Sequence, residues 1–135
     1  MTLSVKNTLP KSERMSHTKS IDKLFSSGEA FISYPLRIVY CKREPDSLPL
    51  VSIMVSVPKK RFKRAVKRNR VKRLVREAYR LNKSLFWELC EKHNTAIDIV
   101  FICLKDELPD YKEIEKAILK TATTLDSRLG AGIEK

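Results

Sequence analysis

One stretch, residues 60–80 (KRFKRAVKRNRVKRLVREAYR), restricts the possible folds more than any other part of the sequence. It holds eleven Lys or Arg residues and a single acid, Glu77, yet apolar residues recur within it at helical spacing. Val71, Leu74, Val75 and Ala78 stand at i, i+3, i+4 and i+7, which is the apolar stripe of an amphipathic helix. The stretch therefore predicts a helix with one face against a core and a strongly cationic face outside.

The same region carries almost the whole charge imbalance of the chain. Residues 59–80 contain twelve bases and one acid, a net charge of +11. The full chain of 135 residues has 28 Lys or Arg and 16 Asp or Glu, so the other residues hold 16 bases against 15 acids. A charge concentrated in one segment, rather than spread over the surface, indicates a polyanion as the binding partner.

Three predicted strands surround this helix in the sequence. Residues 36–41 (LRIVYC) and 50–57 (LVSIMVSV) alternate between two faces, and the Pro-containing residues 42–49 between them favour a turn. We therefore expect these two strands to form an antiparallel pair. Residues 96–104 (AIDIVFICL) are almost continuously apolar and β-branched, as expected for a buried central strand.

The remaining pattern predicts helices around one domain of two-layer α+β architecture. The predicted helices cover residues 18–27, residues 66–81 with an extension over 86–94, and residues 111–129. Residues 1–16 are polar and basic and are interpreted as a flexible arm, followed by a single domain over residues 17–130 that contains the basic stretch. The order read from the residues alone is α-β-β-α-β-α.

The exposed face of the basic helix has the chemistry of an RNA-binding surface. Asn69, Arg73, Arg76 and Arg80 follow one another at spacings of 4, 3 and 4, opposite the apolar stripe. Arginine binds phosphate oxygens bidentately and can stack on bases. Asn69 adds a donor and an acceptor, which suits a 2′-hydroxyl or a base edge. A solvated helix surface is the plain alternative, but such surfaces normally interleave acids, and here only Glu77 stands within reach of Arg73.

A known family has a similar signature. Lys59-Lys60, Ala65-Val66, Arg68-Asn69-Arg70 and the following VKRLVR resemble the R-N-R motif of bacterial ribonuclease P protein subunits. The resemblance extends over about residues 9–125 and includes SIDKLFSSG at 20–28, the strand at 50–57 and DIVFI at 98–102. One difference is RFKRAV at 61–66, where many members have I-G-N-A-V after the lysines. This loop has no glycine and one extra residue, so its geometry is left open.

The resemblance implies both a fold and an activity. The fold would be a two-layer α/β sandwich of the ribosomal protein S5 domain 2-like type. Its order would be α-β-β-(β)-α-β-α, with one strand optional and a left-handed crossover at the basic helix. The activity would be that of ribonuclease P, a ribonucleoprotein endonuclease that removes the 5′ leader of precursor tRNA in the cytoplasm. The catalytic centre and its Mg²⁺ are expected in the RNA subunit, with no catalytic residue, metal or cofactor site in the protein.

The resemblance also assigns residues to two binding roles. The catalytic RNA subunit would be bound by Lys59, Lys60, Arg61, Lys63, Arg64, Lys67, Arg68, Asn69, Arg70, Lys72, Arg73, Arg76 and Arg80. A cleft between the first helix and the sheet would accept the leader of precursor tRNA, lined by Ile21, Phe25, Ile38 and Tyr40. The competing interpretation is that these apolar residues belong to the core. It applies least to Tyr40, because a tyrosine ring can stack on a base.

The sequence offers no self-contained catalytic site. His17 and His93 stand apart from carboxylate clusters and are both expected at the surface, and no phosphate-binding glycine motif occurs. Asp98, inside an apolar strand, is interpreted as structural. The three cysteines, Cys41, Cys90 and Cys103, are widely spaced and are expected to be buried reduced thiols. No apolar run approaches the length of a membrane-spanning helix, so no membrane contact is expected.

Two other functions fit a basic helix on such a domain. A ribosomal or ribosome-assembly protein would bind ribosomal RNA and leave precursor tRNA processing unaffected. A DNA-binding regulator would need a partner helix a short turn before the basic helix, but residues 56–60 contain a strand end and Pro58. We therefore rank the DNA-binding interpretation last.

Overall fold

A computed structural model describes residues 28–44 and 50–133. Within these residues, four strands form one sheet, and two helices pack on one face of it. The strands are β1 (Glu29–Ser33), β2 (Leu36–Arg43), β3 (Val51–Ser56) and β4 (Ala96–Cys103), and the helices are α1 (Ala65–Lys92) and α2 (Tyr111–Ile133). This arrangement confirms the α+β class. The predicted arm (1–16) and first helix (18–27) lie outside the described residues.

The strand order of the sheet is β1-β2-β4-β3. β2 pairs antiparallel with β1 and with β4, whereas β3 pairs parallel with β4. The prediction that the strands at 36–41 and 50–57 pair with each other is therefore wrong, because β4 lies between them. β4 is apolar on both faces, and all its residues except the half-buried Ile102 are buried, which favours the central position. β3 carries Ser52 and Ser56 on one face and takes the edge.

Strand β1 is the element that the sequence analysis did not place, although the implied order left room for one further strand. Its five residues, EAFIS, have too short an apolar pattern to stand out. A two-residue turn at Tyr34–Pro35, whose peptide bond is cis, joins β1 to β2 with Ser33 opposite Leu36. The buried Ser33 hydroxyl donates to the carbonyl oxygen of Ala117 at 2.8 Å, which ties this hairpin to α2.

Helix α1 is the connection between the parallel neighbours β3 and β4, which cannot be joined by a tight turn. It is one continuous helix of 28 residues, so the predicted helix at 66–81 and its extension form a single element. Asn94, at φ 51°, ends it in the left-handed region. The N–H groups of Asn94 and Thr95 donate to the carbonyl oxygens of Glu91 and Cys90, as in a Schellman motif.

The predicted apolar stripe of α1 lies against the sheet. Val71, Val75 and Ala78 are fully buried, and Leu74 is half-buried beside them. Further along the helix, the rings of Tyr79 and Phe86 pack with centroids 5.2 Å apart. Each fully buried Val or Phe side chain stabilises the fold by about 1.5–3 kcal/mol relative to an exposed one. This row therefore fixes the rotation of α1 and keeps its opposite face toward solvent.

The cysteines and histidines differ in part from expectation. Cys90 and Cys103 are buried free thiols, but Cys41 is only half-buried. The expectation that His93 lies at the surface is wrong. Its side chain is 7% exposed, and Nε2 lies 2.7 Å from Oδ1 of Asp126, joining the end of α1 to α2. His17 lies outside the described residues.

Within the described part of the chain, no helix has the length and apolar character needed to cross a membrane.

Candidate nucleic-acid interface

The basic loop, defined as residues 57–64, leads into α1 and is anchored by a buried side chain and a backbone hydrogen bond. Phe62 is buried in the main core with 5% of its surface exposed. The N–H of Arg61 donates to the carbonyl oxygen of Pro58 at 3.0 Å and closes a turn. An aromatic anchor and a turn hydrogen bond thus order a loop that has no glycine. This resolves the geometry that the sequence had left open.

Arg68 holds the same loop from the helix side. Its Nη1 donates to the carbonyl oxygens of Phe62 and Lys63, each at 2.8 Å. On the other side of the loop, Nη1 of Arg61 lies 3.1 Å from Oδ1 of Asp106, in the turn after β4. Two of the arginines predicted to bind RNA therefore also make contacts that shape the surface on which the others lie.

The thirteen residues predicted to bind the RNA subunit are all exposed or half-buried. The exposed residues are Lys59, Lys60, Lys63, Arg64, Lys67, Asn69, Arg70 and Arg73, and the half-buried ones are Arg61, Arg68, Lys72, Arg76 and Arg80. Together these residues are called the basic face. Among the described residues, no hydrogen bond or ion pair engages the side chains of Lys59, Lys60, Lys63, Arg64, Lys67, Asn69, Arg70, Lys72 or Arg73. The fold leaves these groups available to an external ligand.

Glu77, the single acid of the segment, forms its ion pair with a different arginine from the one that the sequence spacing suggests. Glu77 pairs with Arg80 one turn later, through Nη2 to Oε1 and through Nε to Oε2 at 3.1 Å, and not with Arg73. The hydrogen bonds from Arg80 lower the pKa of the Glu77 carboxyl. The Glu77–Arg80 pair lies near the middle of α1, so the N-terminal half keeps its positive charge.

The N-terminus of α1 adds to this charge. Arg64 is the N-cap residue but makes no side-chain hydrogen bond to the first turn, and that turn contains no acid. Helix N-termini carry a partial positive charge on their unpaired N–H groups, which acids or bound anions usually offset. Here a base stands in the capping position, so the helix end attracts anions together with the side chains around it.

A cavity of about 490 Å³ lies beside this helix end. One wall is the basic loop and first turn of α1, and the other is the turn after β4, which contributes Asp106, Glu107 and Leu108. The sequence analysis did not identify these three residues as part of a site. They lie more than 40 residues from the basic loop in the sequence, and no local pattern connects the two segments. A second groove, about 380 Å³, lies between α1 and α2, away from the basic loop.

The residues predicted to line a leader cleft are only partly described. Ile21 and Phe25 lie outside the described residues. Ile38 and Tyr40 are buried in the main core with 0% and 2% exposure. The Tyr40 hydroxyl donates to Oε2 of Glu29 at 2.6 Å, and burial, followed by this hydrogen bond, raises the pKa of the Tyr40 phenol. The role of these residues in leader binding stays a prediction.

Asp98, a titratable group outside the basic face, makes a structural ion pair within the sheet. Asp98, 8% exposed in the middle of β4, lies 2.7 Å from Nε of Arg43 on the neighbouring strand β2, as the structural interpretation expects. In residues 28–44 and 50–133, no group of three or more His, Cys, Asp or Glu side chains could hold a metal ion.

Comparison with known sequences connects the chain to one family. The sequence profile of the family described as Ribonuclease P matches residues 9–126. The "Ribonuclease P protein component" of Porphyromonas gingivalis is 49% identical over 113 residues, which cover 84% of this chain and 82% of that protein. The protein of the same description from Chlorobium phaeobacteroides is 38% identical over 122 residues, covering 83% and 84% of the two chains.

Solved structures have the same fold. The RNase P protein of Thermotoga maritima superposes with a TM-score of 0.64 at 23% identity, covering 82% of this chain and 94% of that one. The RNase P protein of Staphylococcus aureus gives a TM-score of 0.63 at 23% identity, covering 85% and 95%. At this identity the likeness supports the architecture and topology of the sheet and helices.

Proposed function

Because the chain belongs to the ribonuclease P protein family, we propose that its basic face binds the catalytic RNA subunit of ribonuclease P. The complex would remove the 5′ leader of precursor tRNA as an endonuclease and so mature the 5′ end. The family membership gives the general role, RNA binding in tRNA processing. The assignment of particular residues and of the RNA partner is our proposal.

The observation that carries the proposal is a group of exposed cations that have no partner among the described residues and lie on an anchored helix. Arg73 and Arg70 are exposed and unpaired in the described structure, while Val71 and Val75 behind them are fully buried. The guanidinium groups are therefore held on one side of a fixed helix. If about six to ten of the basic residues meet phosphates, counterion release gives strong binding that weakens steeply with salt.

We place the catalytic centre, with its Mg²⁺, in the RNA subunit, as the family resemblance implies. The protein's part is then electrostatic. Two RNAs that approach each other repel through their phosphates, and a cationic surface between them reduces that repulsion. The protein should therefore lower the Mg²⁺ concentration at which the RNA subunit cleaves its substrate. We expect this complex to form in the cytoplasm, with the catalytic RNA and precursor tRNA as partners.

We extend the proposal to the leader of precursor tRNA, with Ile21, Phe25, Ile38 and Tyr40 as its contacts. The support is the resemblance, together with the position of Tyr40 on β2 beside the edge strand β1. The buried state of Tyr40 means that a leader nucleotide would have to replace its contact with Glu29. Only the precursor has a leader, so such a contact would favour the precursor over the mature product.

A ribosomal or ribosome-assembly role is not favoured, because the matching profile and the similar proteins are ribonuclease P components. The two functions nevertheless predict different outcomes in one reconstitution. The experiment is cleavage of a precursor tRNA by a bacterial ribonuclease P RNA at low Mg²⁺, with and without this protein.

Cleavage that appears only when RNA and protein are both present would support the proposal and the catalytic role of the RNA. No gain with the RNA of Porphyromonas gingivalis, whose protein component is 49% identical, would contradict it and favour the ribosomal alternative. Cleavage by the protein alone would contradict the placement of catalysis in the RNA.

A further inference from the structure

The cavity beside the N-terminus of α1 has walls of different chemistry. Lys63, Arg64 and Lys67 line one side, all exposed and all without a partner among the described residues. On the other side, Glu107 is exposed and has no hydrogen bond or salt bridge in the described structure, and Leu108 beside it is 40% exposed. The charge of Glu107 acts on Lys105, but the ammonium of Lys105 is bound to Glu113. An apolar surface and a free carboxylate thus lie opposite a cluster of free cations.

The carboxylate of Asp106 is not available to a ligand in this cavity, because it is already paired. Its Oδ1 is held by Arg61 at 3.1 Å, which connects the turn after β4 to the basic loop. The Nε of Arg61 is buried and makes no hydrogen bond. The free carboxylate of this wall is therefore that of Glu107.

A bare phosphate does not match this cavity, because an ionised carboxylate accepts hydrogen bonds and repels an anion. The matching ligand has an anionic end for the cations, a flat apolar body for Leu108, and N–H donors for Glu107. An unpaired nucleotide has these three parts. Its volume suits the site, since cavities that bind small molecules usually measure about 300–1,000 Å³, and this one measures about 490 Å³.

We propose that this cavity binds one unpaired guanine nucleotide of the RNA partner. Its phosphate would lie against Lys63, Arg64 and Lys67, and its base would contact Leu108. Guanine is chosen because N1–H and the N2 amino group stand side by side on its Watson–Crick edge and can both donate to one carboxylate. Sequence-specific recognition of RNA generally uses such splayed-out bases. The inference rests on the proposed function for the identity of the RNA, but the cavity can be tested without it.

The first test is the affinity of Glu107→Gln for the ribonuclease P RNA of Porphyromonas gingivalis. Simple electrostatics predicts tighter binding, because the variant removes a negative charge from a basic surface. The proposal predicts weaker binding by about tenfold, because glutamine replaces one acceptor by a donor that opposes the guanine N–H groups. Glu88→Gln is the matched control, since Glu88 is exposed and lines the groove between α1 and α2. It should stay within about twofold of the wild type.

Equal or tighter binding by Glu107→Gln, or equal weakening by Glu88→Gln, would overturn the proposal while the wild type still binds RNA. If the wild type itself does not bind, the proposed function fails, and the second test decides about the cavity alone. In that test, guanosine 5′-monophosphate and uridine 5′-monophosphate are titrated into the protein and the backbone amide signals are followed by NMR. The signals of Lys63 and Leu108 should reach saturation at a lower concentration of guanosine 5′-monophosphate than of uridine 5′-monophosphate. Identical responses to both nucleotides would overturn the guanine assignment.

Discussion

The guanidinium group of Arg68 donates to the carbonyl oxygen of Phe62 at 2.8 Å, so a residue of the R-N-R motif holds the loop that precedes its own helix. A second bond from the same nitrogen reaches the carbonyl oxygen of Lys63. Arg68 thus combines a predicted RNA contact with an architectural role. Arg73, one helical turn and one residue further, has no such contact in the described structure.

This difference predicts distinct effects for two alanine variants. Arg73→Ala should weaken RNA binding and lower the slope of log affinity against log salt by about 1, with no change in the urea midpoint. Arg68→Ala should lose RNA affinity and also about 1–3 kcal/mol of unfolding free energy, because the loop carbonyls lose a charged donor. Urea unfolding and RNA titration at several salt concentrations measure both. A double variant of Arg68 and Arg73 would therefore mix the loss of RNA contacts with the loss of stability. An unchanged urea midpoint in Arg68→Ala would contradict the architectural role.

Asn94 predicts a stability test at the end of α1. Its φ of 51° is costly for residues with a β-carbon, least so for asparagine. Asn94→Ala should therefore lower the unfolding free energy by about 1 kcal/mol, whereas Asn94→Gly should leave it unchanged or raise it slightly. Thermal unfolding followed by circular dichroism measures both. If alanine proved as stable as glycine, the left-handed ending of the helix would not limit stability.

Asp126 predicts a dependence of stability on pH. Its hydrogen bond with His93, and then that with Lys92, lowers the pKa of the Asp126 carboxyl. A group whose pKa is lowered on folding stabilises the fold at pH values above its unfolded pKa, about 3.9 for Asp. That contribution disappears as the pH falls through the lower folded value. Asp126→Asn should be less stable than the wild type at pH 7, and the difference should shrink toward zero in strong acid.

Urea unfolding at a series of pH values gives this difference directly. Glu88→Gln serves as the control, because Glu88 is exposed and forms no ion pair within the described residues. It is measured in the same pH series, so that the removal of an exposed carboxylate can be compared with the loss of the contact between Asp126 and His93. A constant difference for Asp126→Asn between neutral and acid pH would show that the pair with His93 contributes nothing through ionisation.

The cysteines predict a pattern of chemical labelling. Burial raises the pKa of the Cys90 thiol to about 12 and also raises that of Cys103, and both side chains are buried, so both should react slowly with an alkylating reagent. Cys41 is partly exposed on β2. Iodoacetamide should therefore label Cys41 in the native protein and all three cysteines in guanidinium chloride, as determined by peptide mass spectrometry. Native labelling of Cys90 at the rate of Cys41 would indicate that α1 opens locally.

Tyr40 predicts a preference that depends on the leader. If Tyr40 contacts the leader, Tyr40→Ala should reduce binding of precursor tRNA more than binding of mature tRNA, whereas Tyr40→Phe should keep most of the difference. The ratio of the two affinities, measured on folded holoenzyme, separates this effect from the loss of stability caused by truncating a buried ring. A ratio that is the same in Tyr40→Ala and wild type would remove Tyr40 from the leader site.

The helix and its charged face were predictable because their signals are local. Val71 and Val75 recur at helical spacing, and the cations between them have to face away from the core. The sequence also identified the apolar run of β4 as a central strand. It did not identify the neighbours of that strand, because pairing depends on contacts between distant segments. Adjacent strands usually pair, and that general tendency suggested the wrong partner for β3.

The cavity beside α1 shows the same limit within the site. Lys63 and Glu107 belong to segments that the sequence describes as a basic loop and an ordinary turn. The ion pair between Arg61 and Asp106, 45 residues apart, is a contact between these two segments. His93 is a similar case, since its partner Asp126 lies 33 residues away on α2. Neither relationship leaves a pattern within either segment.

The insertion of β4 between β2 and β3 has a consequence for synthesis of the chain on the ribosome. β2 and β3 are not neighbours and share no hydrogen bonds with each other, since each of them pairs with β4. A nascent chain that ends within α1 therefore contains the RNA-binding helix but lacks the strand that completes the sheet beneath it. The apolar side of the helix, with Val71, Val75 and Phe86, is only partly covered, by β3, until β4 and α2 have also left the exit tunnel. During that interval α1 exposes both a cationic face and an apolar face, and it does so beside the RNA of the ribosome itself.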